Sequence, residues 1–454
     1  DGHFDIGISS GQVSVVQPEL DPGLTDAVTE LAGSWVLPGV IDSHVHVATS
    51  GGNPSYALGY RQVAEAGVTT AIDFAGTMSG IIPGMQTMGA GLNIGSLFVL
   101  DPSVTVPDDN PSADVLRDTM HRALSEGSLG LKCMGGHNPM TTEATNRAIE
   151  VCNQAGAYVA LNCGTKATSS ILEGMREVPD MVGDGRLHVA HVNAYCLGMI
   201  LPALDECNEA LQMLFNMKDQ LVSEVHLAIP NGTSGRCQGD EVADYVTRNC
   251  LFMRDYPLTR TGLRQAMEEG YASVLTVRDG KTALVSGDEA IAEWESARTE
   301  VTVSFPVGVP QAAFNLAVAK DESGEFIIDA ISTDGGYLPR NISVQRTWAM
   351  TQLDALTPLE MSAKLSWNPS RMFGLTRKGH LSPDADADVT VVDPNTGRPI
   401  LSLVAGDPVM RDGRSLGQGG TLLVTSEGAA AARRSGLDHQ IVDLSSSKLY
   451  QGYM

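Results

Sequence analysis

The stretch that most constrains this chain is VLPGVIDSHVHV, Val36 to Val47, where a turn signal, an apolar run and two histidines share a short segment. Leu37-Pro38-Gly39 reads as a turn, and Val40-Ile41 opens a buried strand whose end carries His44 and His46. Residues two apart on a strand point to the same face. Two imidazoles so placed can reach one cation, and imidazole suits zinc, cobalt, nickel or iron. A His-x-His pair alone is more often two ordinary polar residues on a half-exposed strand, so corroboration has to come from elsewhere in the chain.

A chain of 454 residues exceeds the size at which one core stops growing, which predicts a large domain and a smaller one. Its 54 acidic and 30 basic residues leave a formal charge of −24, unsuited to nucleic acid or an anionic membrane. A small neutral organic substrate, or a cationic one, is the easier guest. The seven cysteines are scattered without a Cys-x-x-Cys pair, which favours a reducing, cytoplasmic compartment. No run of about 18 apolar residues is present to span a membrane. The chain opens in mid-pattern without Met or a signal-peptide pattern, so a preceding N-terminal piece is expected.

Phe4 to Val16 alternates like a strand pair around Ser10-Gly11, and Leu31 to Trp35 reads as a further short strand. From Val40 the pattern becomes strand, helix, strand. Besides the first, seven apolar strand candidates follow: Ala66 to Gly76, Ile94 to Leu100, Gly127 to Gly136, Gly156 to Gly164, Gly185 to Asn193, Ser223 to Pro230 and Glu325 to Gly336. Amphipathic stretches such as Thr142 to Gln154 separate most of them. This alternation predicts an α/β chain with a (β/α)₈ TIM-like barrel over 37–375, its chemistry at the C-terminal strand ends. An insertion of about 232–323 carries its own strand-like segments YASVLTV and TALVSG. Residues 1–36 and 376–454 are expected to pair as one small β-sandwich domain built from both chain ends, with DVTVVD as one strand.

Polar residues then fall at the strand ends: His44 and His46 on the first, Lys132 on the fourth, Asn162 on the fifth, His191 on the sixth and Asp334 on the eighth. A lysine on a buried strand is costly unless paired or neutralised. Reaction with CO₂ is one solution, giving an anionic carbamate able to bridge cations. His188 and His191 are three apart and should face opposite ways, so only His191, nearer the strand end, is expected to look inward. His226 reads as a core histidine, and His137 in GGHNP as a loop residue that could line the barrel mouth or be solvated.

With these residues in place, the chain resembles the amidohydrolase superfamily, in its hydantoinase, dihydroorotase and D-aminoacylase branch. The resemblance runs from LPGVIDSHVH through GLKCMGG, AHVN and STDGG to NPSRMFGL and KGHLSPDADADVTVVD. It implies that His44, His46 and Asp334 bind one divalent metal ion, cobalt or zinc, that Lys132 is an N6-carboxylated bridging ligand, and that His191 serves a second metal. It also implies a homo-oligomer, dimer or tetramer. Where the hydantoinase-like pattern ends its fifth strand in a histidine, this chain has Asn162, and an amide oxygen is a weaker ligand for late transition metals. One metal per chain is therefore expected. Asn162 in that place also looks like the enzymes that hydrolyse thiocarbamates, where a thiol leaves without needing a proton. In that reading a metal-activated water cleaves the thioester bond, Asp334 accepts its proton, and His191 or Asn162 donates to the developing oxyanion. The alternative is an amidohydrolase acting on cyclic amides or N-acyl amino acids.

If Asn162 stands where a ligand is missing, Asn162→His restores it. The variant should retain close to two metals per chain after exhaustive dialysis where the parent retains close to one. Unchanged stoichiometry in a folded variant would place Asn162 outside the metal cavity.

Overall fold

The structure, a computed structural model, describes residues 2–31, 33–48, 54–102 and 104–453. Its centre is a curled, all-parallel sheet of the eight apolar strands expected: β1 (Val40–His46), β2 (Val68–Asp73), β3 (Leu92–Leu100), β4 (Gly130–Met134), β5 (Tyr158–Asn162), β6 (Leu187–Val189), β7 (Leu221–His226) and β8 (Ala330–Ser332). Each pairs with its neighbours in sequence order from β1 to β8. Just after β8, Gly335–Gly336 pairs with Val45 and His46 of β1. The last segment thus touches both edges of the sheet, which is consistent with a (β/α)₈ barrel.

Local chemistry punctuates the alternation. Helix Ala113–Glu126 starts at Ser112, whose side chain accepts from the Val115 amide, and stops at Gly127 in a left-handed conformation. Helix Thr142–Ala155 repeats the device with Thr141 and Gly156. Side-chain acceptors at the first turn and a residue of positive φ at the end are the ordinary start and stop signals of helices.

Two apolar layers result. One lies between sheet and helices and includes Val40, Val45, Leu131 and Val159. The other includes Ile41, Ile72, Leu97 and Tyr158 from the strands, Phe74 just beyond β2, and Phe373 at the end of the helix Asn368–Met372. Leu423, Val442, Leu444, Leu449 and Tyr450 belong to this second layer, and Tyr450 Oη donates to the Ala157 carbonyl at 2.5 Å. The C-terminal segment therefore packs under the strand starts. Gly420–Val424 also pairs in parallel with Leu92–Ile94 and with Asp438–Ile441. This part of 376–454 extends the barrel's sheet instead of the small domain, because its apolar residues find their partners there.

The small domain has one five-stranded antiparallel sheet, in the order Arg414–Ser415, Asp407–Arg411, Pro399–Val404, Val389–Val392 and Trp35–Pro38. The hairpin Asp5–Ser9 and Gln12–Gln17 is a separate two-stranded ribbon. The N-terminal strand of the sheet is Trp35–Pro38, not Leu31 to Trp35, and Leu37-Pro38 does not turn. Gly39 is where the chain passes from small sheet to barrel: its amide donates to Asp388 O at 2.7 Å, and a Cβ there would overlap Thr69 Oγ1 and Asp388 Cβ. The insertion forms an antiparallel sheet from Thr233–Ser234, Ser273–Arg278, Lys281–Val285 and Thr302–Ser304, with its own core around Trp294, Leu263 and Phe305. Among the described residues, no helix is long and apolar enough to cross a membrane.

A buried charge cluster joins small sheet to barrel. Lys378 Nζ donates to Asp388 Oδ2 at 2.7 Å and lies 2.8 Å from Asp386 Oδ2, while Asn93 of β3 donates to Asp388 Oδ2 at 2.9 Å. Burial alone would lower Lys378, but the two carboxylates outweigh it and raise it above its ordinary value. Removing one partner of a buried pair leaves the other charge uncompensated, at about 3–5 kcal/mol. Lys378→Met should lower stability by about that amount, read as a reduced urea midpoint; an unchanged midpoint would mean the cluster contributes nothing to the junction.

Candidate active site

β1 delivers His44 and His46 to the C-terminal end of the sheet. Its pairing with β2 shifts register between Asp42 and Val45, immediately around His44. Asp334 occupies the gap between β8 and Gly335–Gly336 with φ of 46°, a strained value for a residue with a side chain. Its Oδ1 lies 3.0 Å from His46 Nε2 and 3.4 Å from His44 Nε2. The candidate ligand atoms of these three residues all fall within 4.8 Å of one another.

His44 is held on both sides. Its ring stacks on Phe74 at 4.1 Å, and Nδ1 donates to Glu224 Oε1 at 2.8 Å. Glu224 is fully buried on β7; its Oε1 also accepts the His191 backbone N–H at 2.8 Å, and its Oε2 accepts from Ser332 Oγ. Burial would raise Glu224, but the rings of His44 and His188 hold it well below the usual carboxylate range. With Nδ1–H committed to this anion, Nε2 of His44 presents its lone pair toward Asp334. Burial keeps the His44 ring neutral, with its pKa lowered to about 4.

Lys132 lies on β4, buried, with Nζ 4.7 Å from the Phe74 ring centroid and without a hydrogen-bond partner among the described residues. Burial lowers it to about 8, so a useful fraction is free amine near neutrality, the form that adds to CO₂. His191 follows β6 with φ of 33°, its ring 5.2 Å from that of His44 and its Nδ1 unpartnered among the described residues. Burial holds His191 well below its ordinary value. Asn162 ends β5, and its Oδ1 accepts from Ser170 Oγ at 3.0 Å and Tyr195 Oη at 3.4 Å.

The six expected residues thus face one end of one sheet. The expectation that only one of His188 and His191 turns inward does not hold. β6 ends at Val189, and the left-handed His191 resets the side-chain alternation. His188 packs against Phe74, Tyr158 and Phe373, bonds Tyr158 Oη through Nδ1 at 3.0 Å, and approaches Glu224 at 3.7 Å. His226 is not confined to the core: with Asn162, His191 and Asp334 it lines a cavity, where its Nε2 is 3.1 Å from Asn193 Nδ2.

Sequence reading missed Glu224. Its signal was an acid in the middle of LVSEVH, where a charge on a buried strand needs donors. Arg340 is 4% exposed and engaged at each of its three nitrogens: Nη2 is 2.5 Å from Asp334 Oδ2, Nε donates to Asp334 O at 2.5 Å, and Nη1 donates to Pro230 O at 2.9 Å. Burial would raise Asp334, but Arg340 and His44 hold it well below the usual carboxylate range. The insertion walls the cavity with Val246, Asn249 and Cys250 from its helix Tyr245–Phe252.

No protein-family model matches the chain. It is similar to a dihydroorotase of Pelotomaculum thermopropionicum, 23% identical over 402 residues that cover 82% of this chain and 81% of the relative. An allantoinase of Rubrobacter xylanophilus is 23% identical over 437 residues, 86% of this chain and 82% of the relative. Among solved structures, a D-aminoacylase with a binuclear metal centre, described as showing one-metal activation and second-metal attenuation, superposes with a TM-score of 0.62. It is 16% identical and covers 92% of this chain and 94% of that one. The relatives it resembles in sequence and the solved structures it resembles in fold are metal-dependent amidohydrolases.

Carboxylates that orient ligating histidines typically carry 10- to 100-fold of metal affinity. Glu224→Gln should therefore weaken metal binding by about that factor while leaving the circular dichroism spectrum unchanged. A metal dissociation constant equal to the parent's would remove Glu224 from the site's support.

Proposed function

We propose that this chain is a (β/α)₈-barrel amidohydrolase that hydrolyses cyclic amides, with N-acyl amino acids as the related second class. The observation that carries the reading is the convergence of His44, His46 and Asp334 beside the buried amine of Lys132, which has no hydrogen-bond partner among the described residues. Neutral imidazole nitrogens, a carboxylate and a lysine able to become a carbamate fit a divalent cation such as zinc or cobalt. When bound, the cation supplies a Lewis acid and a water of lowered pKa. His44, His46, Asp334 and carboxylated Lys132 would hold it. Ser170 and Tyr195 already occupy the Asn162 oxygen, which supports one tightly held cation per chain.

The remaining chemistry belongs to the protein. Arg340 orients Asp334 and keeps it anionic, ready to take the proton of an attacking water. The amide nitrogen of Asn162, and His191 across the cavity, serve the carbonyl oxygen as charge develops there. Arg340 is the only Arg or Lys among the described residues that line the cavity, and its three groups of donors are committed to protein oxygens. A substrate carboxylate finds no free guanidinium, which favours neutral cyclic amides over N-acyl amino acids.

The thiocarbamate reading is drawn from the likeness of Asn162, of the motif order and of the chain length to molinate hydrolase. The similarity to dihydroorotase and allantoinase extends over more than four-fifths of the chain and supports amide bonds instead. A purified metal-loaded enzyme should hydrolyse hydantoin or allantoin faster than an N-acetyl amino acid, and Lys132→Ala should lose both bound metal and turnover. Faster thiol release from a thiocarbamate than ring opening of either cyclic amide would reverse the assignment. An active, metal-replete Lys132→Ala would remove the carbamate.

A further inference from the structure

His137 follows β4 in the loop Gly135-Gly136-His137-Asn138 and lines the same cavity as Asn162, His191 and Asp334. Its Nδ1 lies 3.2 Å from Oδ2 of Asp244, at the start of the insertion helix Tyr245–Phe252. That carboxylate is built in: it is 9% exposed, its Oδ1 accepts from Thr233 Oγ1 at 2.6 Å and from the Thr247 amide at 3.0 Å. A carboxylate fixed by two donors and aimed at one ring nitrogen is the arrangement that orients an imidazole and stabilises its protonated form. Nε2 is left for the cavity. His137 itself is 23% exposed, so solvent can restore its proton.

From this geometry we propose that His137 is a catalytic residue, the proton donor to the departing nitrogen, and that Asp244 is its positioning residue. The proposal rests on the amide-hydrolase reading. As the acyl C–N bond breaks, its electron pair passes to nitrogen, which takes the proton from Nε2. The ring ends neutral, its remaining proton on Nδ1 toward Asp244. Solvent at the cavity mouth then carries back to Nε2 the proton that Asp334 took from the attacking water, so both groups return to their starting states. Burial works against a charged His137, but Asp244 outweighs it and the ring's pKa is raised; Asp334 adds to this, and only the uncarboxylated amine of Lys132 opposes it. The assignment gives the insertion a chemical part beyond walling the cavity, because the anion that orients the donor comes from it.

The leaving group tests the idea. An amide nitrogen must be protonated to leave, whereas a thiol of pKa roughly 8.5 departs as thiolate. The probes are an amide and a thioester of the same acyl group, assayed with the metal-loaded enzyme. His137→Gln should lower kcat on the amide by about 10²-fold or more, the range of general acid catalysis, with KM little changed and the thioester within about threefold. Asp244→Asn should move the amide-to-thioester ratio the same way by a smaller factor, which loss of packing alone would not do. Equal losses on both probes, or full amide activity in His137→Gln, would overturn the proposal. If His137→Gln fails to fold, Asp244→Asn decides by its ratio alone. Wild-type enzyme inert to both probes would overturn the hydrolase reading, and the role of His137 with it.

Discussion

One buried carboxylate organises the end of the sheet where the candidate ligands meet. Glu224 rises from β7 and gathers His44 Nδ1 from β1, the His191 amide beyond β6 and Ser332 Oγ from β8. A lone carboxylate in a protein interior costs several kcal/mol, and only good donors offset that cost. The donors here are the elements that carry the candidate metal ligands. Satisfying the charge and aiming the ligands are consequently one structural event. It also explains why His191 accepts a left-handed backbone, since that conformation brings its N–H to Glu224 while its ring lines the cavity.

A second set of contacts positions Asp334. Asp42 on β1 accepts from the Thr333 amide at 3.0 Å and from Thr333 Oγ1 at 2.5 Å, which ties the residue before Asp334 to the strand that carries the histidines. Arg340 grips the Asp334 carboxylate and carbonyl from the other side. Asp73, ending β2, accepts the amides of Val47 and Ala48 at 2.7 and 2.9 Å and so fixes the exit of β1. Strain at Asp334 is tolerable because several interactions over-determine its place. An inner face held by these contacts contrasts with the outer wall, which comes from a separately cored insertion.

The alternation of apolar strands with amphipathic helices was readable because a parallel sheet covered on its faces demands continuous apolar runs. His44, His46, Lys132, Asn162, His191 and Asp334 were readable because each ends or occupies such a run. Glu224 was not, since its meaning depends on donors from β1, from β8 and from His191 beyond β6. The inward turn of His188 was hidden for a different reason: simple alternation fails where β6 stops after Val189. Gly420–Val424 carries an ordinary strand pattern, and nothing local distinguishes pairing with β3 from pairing in the small sheet. Leu37-Pro38-Gly39 holds typical turn residues, yet Gly39 is needed for a close approach to Thr69 and Asp388.

Charge bears on the substrate at two length scales. The formal charge of −24 disfavours anions globally, but salt screens exposed charges beyond about 8 Å at physiological ionic strength. It slows the approach of an anion and does not decide what the cavity holds. The local groups decide that. Arg340 is spent on Asp334 and Pro230, and His137 is paired with Asp244. A carboxylate that competed for Arg340 would draw the guanidinium from the residue it orients, exchanging one ion pair for another while leaving Asp334 misplaced. A neutral cyclic amide, the substrate class proposed, would ask only for hydrogen bonds and would leave the pair of Arg340 and Asp334 in place.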